Sequence, residues 1–201
     1  MRALLLALPL LLAACQTEAD GPAAPADSTA DPAPSGPERA TAQIDAVGDS
    51  GVSGTVEVTA LEDAVEIRYS LDGFTSETPN GFHIHENGSC EADSSGTPAG
   101  AAGGHFNPMS SEHGAPSNEA TKRHAGDLGN IVPDASGRAV GTVVDSVLAF
   151  SGPTSLIGKA VLIHGGEDDL TSQPSGDAGP RIGCGILQLA SAASDAATTE
   201  S

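Results

Sequence analysis

The chain has 201 residues, with 8 Lys+Arg against 27 Asp+Glu and a formal net charge of −19. That acidity argues against a nucleic-acid partner, which needs basic side chains to displace counterions from phosphates. Aromatics are 2% of the chain, Trp is missing, and 25 Gly and 14 Pro argue against an all-helical protein. The length suits one domain with appendages, and the composition suits an acidic, β-rich one.

Arg2 followed by the apolar stretch Ala3 to Ala14 reads as a secretory signal peptide over residues 1–14. The stretch is shorter than the ~20 residues of a membrane-spanning helix. It ends Leu12-Ala13-Ala14-Cys15, which resembles a bacterial lipobox, so Cys15 is expected to carry lipid and to become the mature N-terminus. Gln16 stands where an inner-membrane retention signal would have Asp. The expectation is an exported lipoprotein, periplasmic or on the cell surface and anchored in the outer membrane, touching membrane only through that anchor. Disulfides persist in such compartments. The 3 Cys then parse as one anchor plus one pair, Cys90 and Cys184.

Residues 15–43 read as a lipid-anchored, Ala/Pro-rich disordered linker. From 16 to 43 there are 8 Ala and 5 Pro, and no Leu, Ile, Val or aromatic. Such a segment buries too little apolar surface to offset its ordering entropy. Residues 191–201 are small and polar and are expected to fray as a disordered tail. The folded domain is therefore expected over residues 44–190.

That domain reads as strands. Thr55 to Thr59 alternates, and Val65, Ile67, Tyr69 and Leu71 recur at period two. Such alternation means one buried and one wet face, as in antiparallel sheets. Shorter runs follow at Phe82 to His85, Ala139 to Val144, Ala160 to His164 and Ile186 to Leu189. Turn signals such as Asp72-Gly73, Asn80-Gly81 and Ser136-Gly137 separate them. Many short strands with Gly/Pro turns predict an all-β sandwich or barrel. Two long stretches, residues 86–126 and 165–183, break the rhythm, and loops of that length in a compact domain are usually functional or disordered.

All 6 His lie from His83 to His164, in or beside those loops. His83 and His85 sit two apart in a strand, which puts both imidazoles on one face. His124 precedes Asp127 by three residues, so nitrogen and oxygen donors lie close together. A lone loop His is more often a surface residue than a ligand. Six confined to one stretch favour a metal site, and imidazole with carboxylate suits Zn or Cu, one ion or two.

Several segments together resemble the copper/zinc superoxide dismutases, and particularly the bacterial exported type. They are Gly81-Phe82-His83-Ile84-His85-Glu86, Gly104-His105-Phe106-Asn107-Pro108, His124-Ala125-Gly126-Asp127-Leu128-Gly129-Asn130, Ile163-His164 and Arg181-Ile182-Gly183-Cys184-Gly185. They stand in the family order over about residues 44–190. The resemblance implies an eight-stranded antiparallel Greek-key β-barrel (an immunoglobulin-like sandwich) with two long functional loops. It implies one Cu and one Zn per chain. Copper would take His83, His85, His105 and His164; zinc would take His105, His113, His124 and Asp127. Asp168, rather than its neighbour Asp169, would link a copper His to a zinc His and fix the tautomer and orientation of each. Cys90 and Cys184 would form the family's disulfide, which a chain-entropy argument values at roughly 4–5 kcal/mol for a loop near 100 residues.

The implied reaction is dismutation of superoxide anion by Cu(II)/Cu(I) cycling. The implied catalytic residues are Arg181, which steers the anion, and His105, which bridges the metals and carries a proton. A non-enzymatic copper/zinc-binding lipoprotein on the same fold is the alternative, and the sequence leaves a homodimer open. Four features depart from the eukaryotic pattern, one being the somewhat long eleven-residue spacing from His113 to His124. Cys90 follows His85 by only five residues, a Gly/Ala/Ser-rich insertion precedes His105, and the loop from Asp169 to Pro180 is short.

Overall fold

Segments become strands where one face can be buried or, in those carrying His83 and His164, where both can. The computed structural model describes residues 38–190. The expected signal peptide, Cys15, residues 15–37 of the linker and the tail 191–201 lie outside the described residues. In chain order the strands are β1 (Arg39–Ala46), β2 (Ser53–Ala60), β3 (Val65–Asp72), β4 (Asn80–His85), β5 (Asp127–Ile131), β6 (Ala139–Asp145), β7 (Ala160–His164), β8 (Arg181–Ile186) and the two-residue β9 (Gln188–Leu189). Two short 3₁₀ turns, Gly100–Ala102 and Ala120–Lys122, are the only helical pieces among the described residues.

Eight strands form one antiparallel path, β5-β4-β7-β8-β1-β2-β3-β6, with β9 on the side of β1. β1 pairs with β2 along Arg39 to Ile44 and then, through Asp45 and Ala46, with β8. It therefore hands the path from one sheet to the other. After the β1-β2-β3 meander, β6 returns beside β3, and after the β4-β5 pair, β7 returns beside β4. This is Greek-key connectivity, and the ends of the path, β5 and β6, come together to nearly close a barrel. The core between the sheets holds Ile44, Val56, Ile67, Leu71, Phe82, Ile84, Ile131, Leu156 and Ile163. Tyr69 and Phe82 meet edge-to-face across it, centroids 5.6 Å apart.

The linker boundary at residue 43 is corrected. β1 begins at Arg39, with Ala40, Ala42 and Ile44 buried at period two and Thr41 and Gln43 facing out. Alanine is the reason the strand looked like linker, for it adds little hydrophobicity while fitting beneath the facing sheet. β5 and β8 also lie outside the strand runs expected from the sequence. In β8 the glycines are steric. A Cβ on Gly185 would stand 2.3 Å from the Gln43 carbonyl oxygen and 2.8 Å from Ile44 Cδ1, so the close crossing of β1 demands glycine there.

A residue the sequence did not single out closes the seam. Arg123 is 2% exposed. Its guanidinium Nη1 donates to the carbonyls of His124, Ala125 and Asp127 at 3.1, 3.4 and 3.2 Å, and Nη2 donates to Asp145 Oδ2. Asp127 opens β5 and Asp145 ends β6, so one side chain stitches the barrel's two edges. Arg123→Met leaves the Asp145 carboxylate buried without its cation, and about 3–5 kcal/mol of stability should be lost. Urea unfolding of the metal-free protein measures this.

Candidate metal centre

β4 is buried on both faces. Phe82 and Ile84 point into the core, while His83 and His85 point outward beneath the long loops. Pairing of β4 with β7, and of β7 with β8, sets His164 at the end of β7 beside Arg181. On the other side, β5 pairs His83 with Asp127 across an irregularity in register. His105 returns on the first loop and bridges to His85. His113 and His124 complete the set from the same loop. All six rings and Asp127 are buried.

The hydrogen bonds fix which nitrogen is free in His83, His85 and His164. A carbonyl or an ionised carboxylate can only accept, so the imidazole nitrogen facing it carries the proton. His83 Nε2 and His113 Nε2 lie 2.7 and 2.9 Å from the two oxygens of Asp168. The Nδ1 of each ring therefore faces away from Asp168. His85 Nδ1 donates to the Gly103 carbonyl at 3.0 Å and His164 Nδ1 to that of Gly179 at 3.2 Å. That leaves two Nε2 lone pairs facing each other at 3.4 Å. Asp127 Oδ2 accepts from the amides of Gly114 and His124 at 3.0 and 2.8 Å. Its Oδ1 is the focus of three Nδ1 atoms, those of His105 at 2.7 Å, His113 at 3.0 Å and His124 at 3.1 Å.

Two donor sets result. His83, His85, His105 and His164 bring one ligating atom each to within 4.8 Å of one another, and so do His105, His113, His124 and Asp127. His105 belongs to both. His83 Nδ1 and His105 Nε2 are buried with no hydrogen-bond partner, and His113 Nδ1 faces only the shared Asp127 Oδ1. Each orphaned polar atom costs about 1–3 kcal/mol when nothing satisfies it. Converging on two points, these atoms fit metal ions: a four-nitrogen set that suits copper and a three-nitrogen, one-oxygen set that suits zinc.

The electrostatics keep three of the rings neutral and make His113 the exception. Burial pushes His105 down to about 4, despite its hydrogen bond with Asp127, and His164 down to about 3. Burial and the neighbouring His105 hold His85 well below the imidazole range. These rings are neutral near pH 7, the state a metal requires. For His113 burial acts downward, but the hydrogen bonds with Asp127 and Asp168 outweigh it and hold the ring up at about 9. Burial alone would raise Asp127 and Asp168; their imidazole partners hold both well below the carboxylate range.

Residues 52–187 match the family described as "Copper/zinc superoxide dismutase (SODC)". The chain belongs to that family. It is similar to proteins named "Superoxide dismutase [Cu-Zn]" from Candida glabrata, Yarrowia lipolytica and Saccharomyces cerevisiae, at 43%, 42% and 41% identity over 150 residues. Each alignment covers 71% of this chain and 93% of the relative.

Within this copper/zinc superoxide dismutase family member, Cys90 and Cys184 form a disulfide, with Cα atoms 5.7 Å apart, that ties the first loop to β8. Arg181, three residues before Cys184, donates to the carbonyls of Ala99 and Gly103. Gly103 O is also the acceptor of His85 Nδ1, so one carbonyl joins the guanidinium to a candidate copper ligand. Of the two neighbouring aspartates, Asp168 reaches the imidazoles, while Asp169 turns to Thr171 and Ser172 in its own loop. Asn130 had no assigned role. Its Nδ2 donates to the Asp168 carbonyl and its Oδ1 accepts from the Asp168 amide, both at 2.8 Å. Its place in the motif ending Gly129-Asn130 was the available signal; for the similar clasp made by Gln173, the sequence held none.

Proposed function

We propose that this chain is an exported copper/zinc superoxide dismutase of the bacterial lipoprotein type, held at the outer membrane through Cys15. Two superoxide anions and two protons give O₂ and H₂O₂. The observation that carries the reading is the pair of four-residue donor sets sharing His105. Copper would be held by His83, His85, His105 and His164, and zinc by His105, His113, His124 and Asp127. When bound, copper supplies a one-electron couple and zinc a fixed positive charge.

The chain's own residues do the rest. Asp168 holds Nε2 of His83 and His113, so each ring keeps its Nδ1 lone pair on its site. His105 presents Nδ1 to the zinc set and Nε2 to the copper set, and Nε2 is the atom that takes up and gives up a proton. Arg181 draws the anion toward the copper set. A domain this acidic can still attract an anion, because surface carboxylates beyond a Debye length of about 8–10 Å are screened at physiological salt.

The test is to produce residues 16–201, load both metals, and measure superoxide removal with metal content per chain. Near one copper and one zinc with fast, cyanide-sensitive removal supports the enzyme. Both metals bound without activity would identify a metal store instead. For the anchor, Cys15→Ala should move the protein from the membrane to the soluble fraction and abolish labelling by radioactive palmitate. Unchanged membrane attachment would overturn the lipoprotein reading.

A further inference from the structure

The loop from Asp169 to Pro180 is too short for a charged helix, and it contains none. It closes on itself instead. The Asp169 carboxylate accepts from the amides of Thr171 and Ser172 at 2.9 and 2.7 Å. Gly176 N–H donates to the Ser172 carbonyl at 2.7 Å, and Asp169 N–H to that of Gly176 at 2.9 Å. The closed loop lies directly on the Asp168–His113 contact. A Cβ on Gly176 would stand 1.8 Å from Asp168 Oδ1 and 2.7 Å from His113 Nε2.

Gln173 sits at the tip of this loop, 60 residues from His113. Its Oε1 accepts from the His113 amide at 2.8 Å, and its Nε2 donates to the His113 carbonyl at 2.9 Å. His113 belongs to no strand or helix, so its peptide groups have no ladder to hold them. One primary amide satisfies both, as a neighbouring strand residue would. We propose that Gln173 is a positioning residue for the zinc set: it fixes the backbone of His113 while Asp168 fixes its ring, and Nδ1 is thereby aimed at the point it shares with Asp127 Oδ1. This rests on the reading of His105, His113, His124 and Asp127 as zinc ligands. Residues that orient a ligand typically alter metal affinity by 10–100-fold when removed.

Gln173 is exposed, so its replacement leaves the barrel folded. In Gln173→Ala protein the zinc dissociation constant, read by competition with a chromophoric chelator, should rise about tenfold. Copper affinity and the melting of the metal-free protein should stay at parent values. Gln173→Glu keeps the acceptor for the His113 amide but sets a second carboxylate oxygen against the His113 carbonyl, so it should weaken zinc binding as well. Cobalt(II) placed in the zinc set gives a visible spectrum that should change in Gln173→Ala, which a purely structural role for Gln173 would not cause. Zinc affinity within about twofold of the parent would overturn the proposal. So would an equal loss of zinc affinity, copper affinity and apo stability, which means general loosening of the loop. His124→Ala separates the two levels of inference. Parent-like zinc binding in that variant would overturn the ligand set itself, and a large loss there with none in Gln173→Ala would overturn only the role of Gln173.

Discussion

His83→Ala protein is expected to lose copper and superoxide removal together while keeping most of its zinc. His83 contributes Nδ1 to the four-nitrogen set and no atom to the other. Its removal takes one donor of four and leaves Asp168 Oδ2 without its imidazole partner. Zinc is not wholly insulated, because the same Asp168 also holds His113. Zinc affinity should therefore drop by no more than about tenfold, the low end for a lost orienting contact. Copper bound per chain should fall to background. Elemental analysis of both metals, beside the superoxide assay, makes the comparison. Zinc loss as large as copper loss would mean the assignment of rings to the two sets is wrong.

Arg181→Glu should slow superoxide removal by about 100-fold, within the 10–10³ range over which local fields alter encounter rates. Bound copper should change little. Salt gives the more telling readout. If Arg181 attracts the anion, raising ionic strength slows the parent; with Glu in its place the local field repels, and salt should speed the variant. The substitution also removes donors from the carbonyls of Ala99 and Gly103, so Arg181→Lys is the control. It keeps the charge without the planar fork and should retain the parent's salt trend. Equal activity in parent and Arg181→Glu would end the steering role.

How much of this was legible in the sequence depended on burial. β2, β3 and β6 have one wet face, and period-two alternation marked them. β7 and β4 were visible as apolar runs, and His83-Ile84-His85 announced a face of its own. β1 was missed because Ala40 and Ala42 do the work of larger residues where sheets cross closely. β8 was missed because Gly183 and Gly185 remove side chains where β1 passes. β5 was missed because its first residue is a buried Asp127 and Gly129 adopts φ +80°, neither of which resembles a strand. The six imidazoles and Asp127 could be gathered by motif and order. Their division between nitrogens could not, since it depends on the carbonyls of Gly103 and Gly179 and on both oxygens of Asp168. Arg123 and Gln173 were invisible for a related reason. Each acts largely on backbone groups, and backbone groups leave no letter in a sequence.

The two-faced burial of β4 bears on how this protein can change over generations. From Asn80 to His85 every residue is buried, with core on one side and imidazoles on the other. A substitution there meets either close-packed hydrocarbon or a ligating nitrogen, so the strand has almost no room for neutral drift. Variation is pushed into segments that lie over the site, such as the insertion before His105 and the abbreviated loop carrying Gln173. Lineages of this barrel can thus diverge widely in how they brace and approach the metals while the wall that carries them stays nearly unaltered.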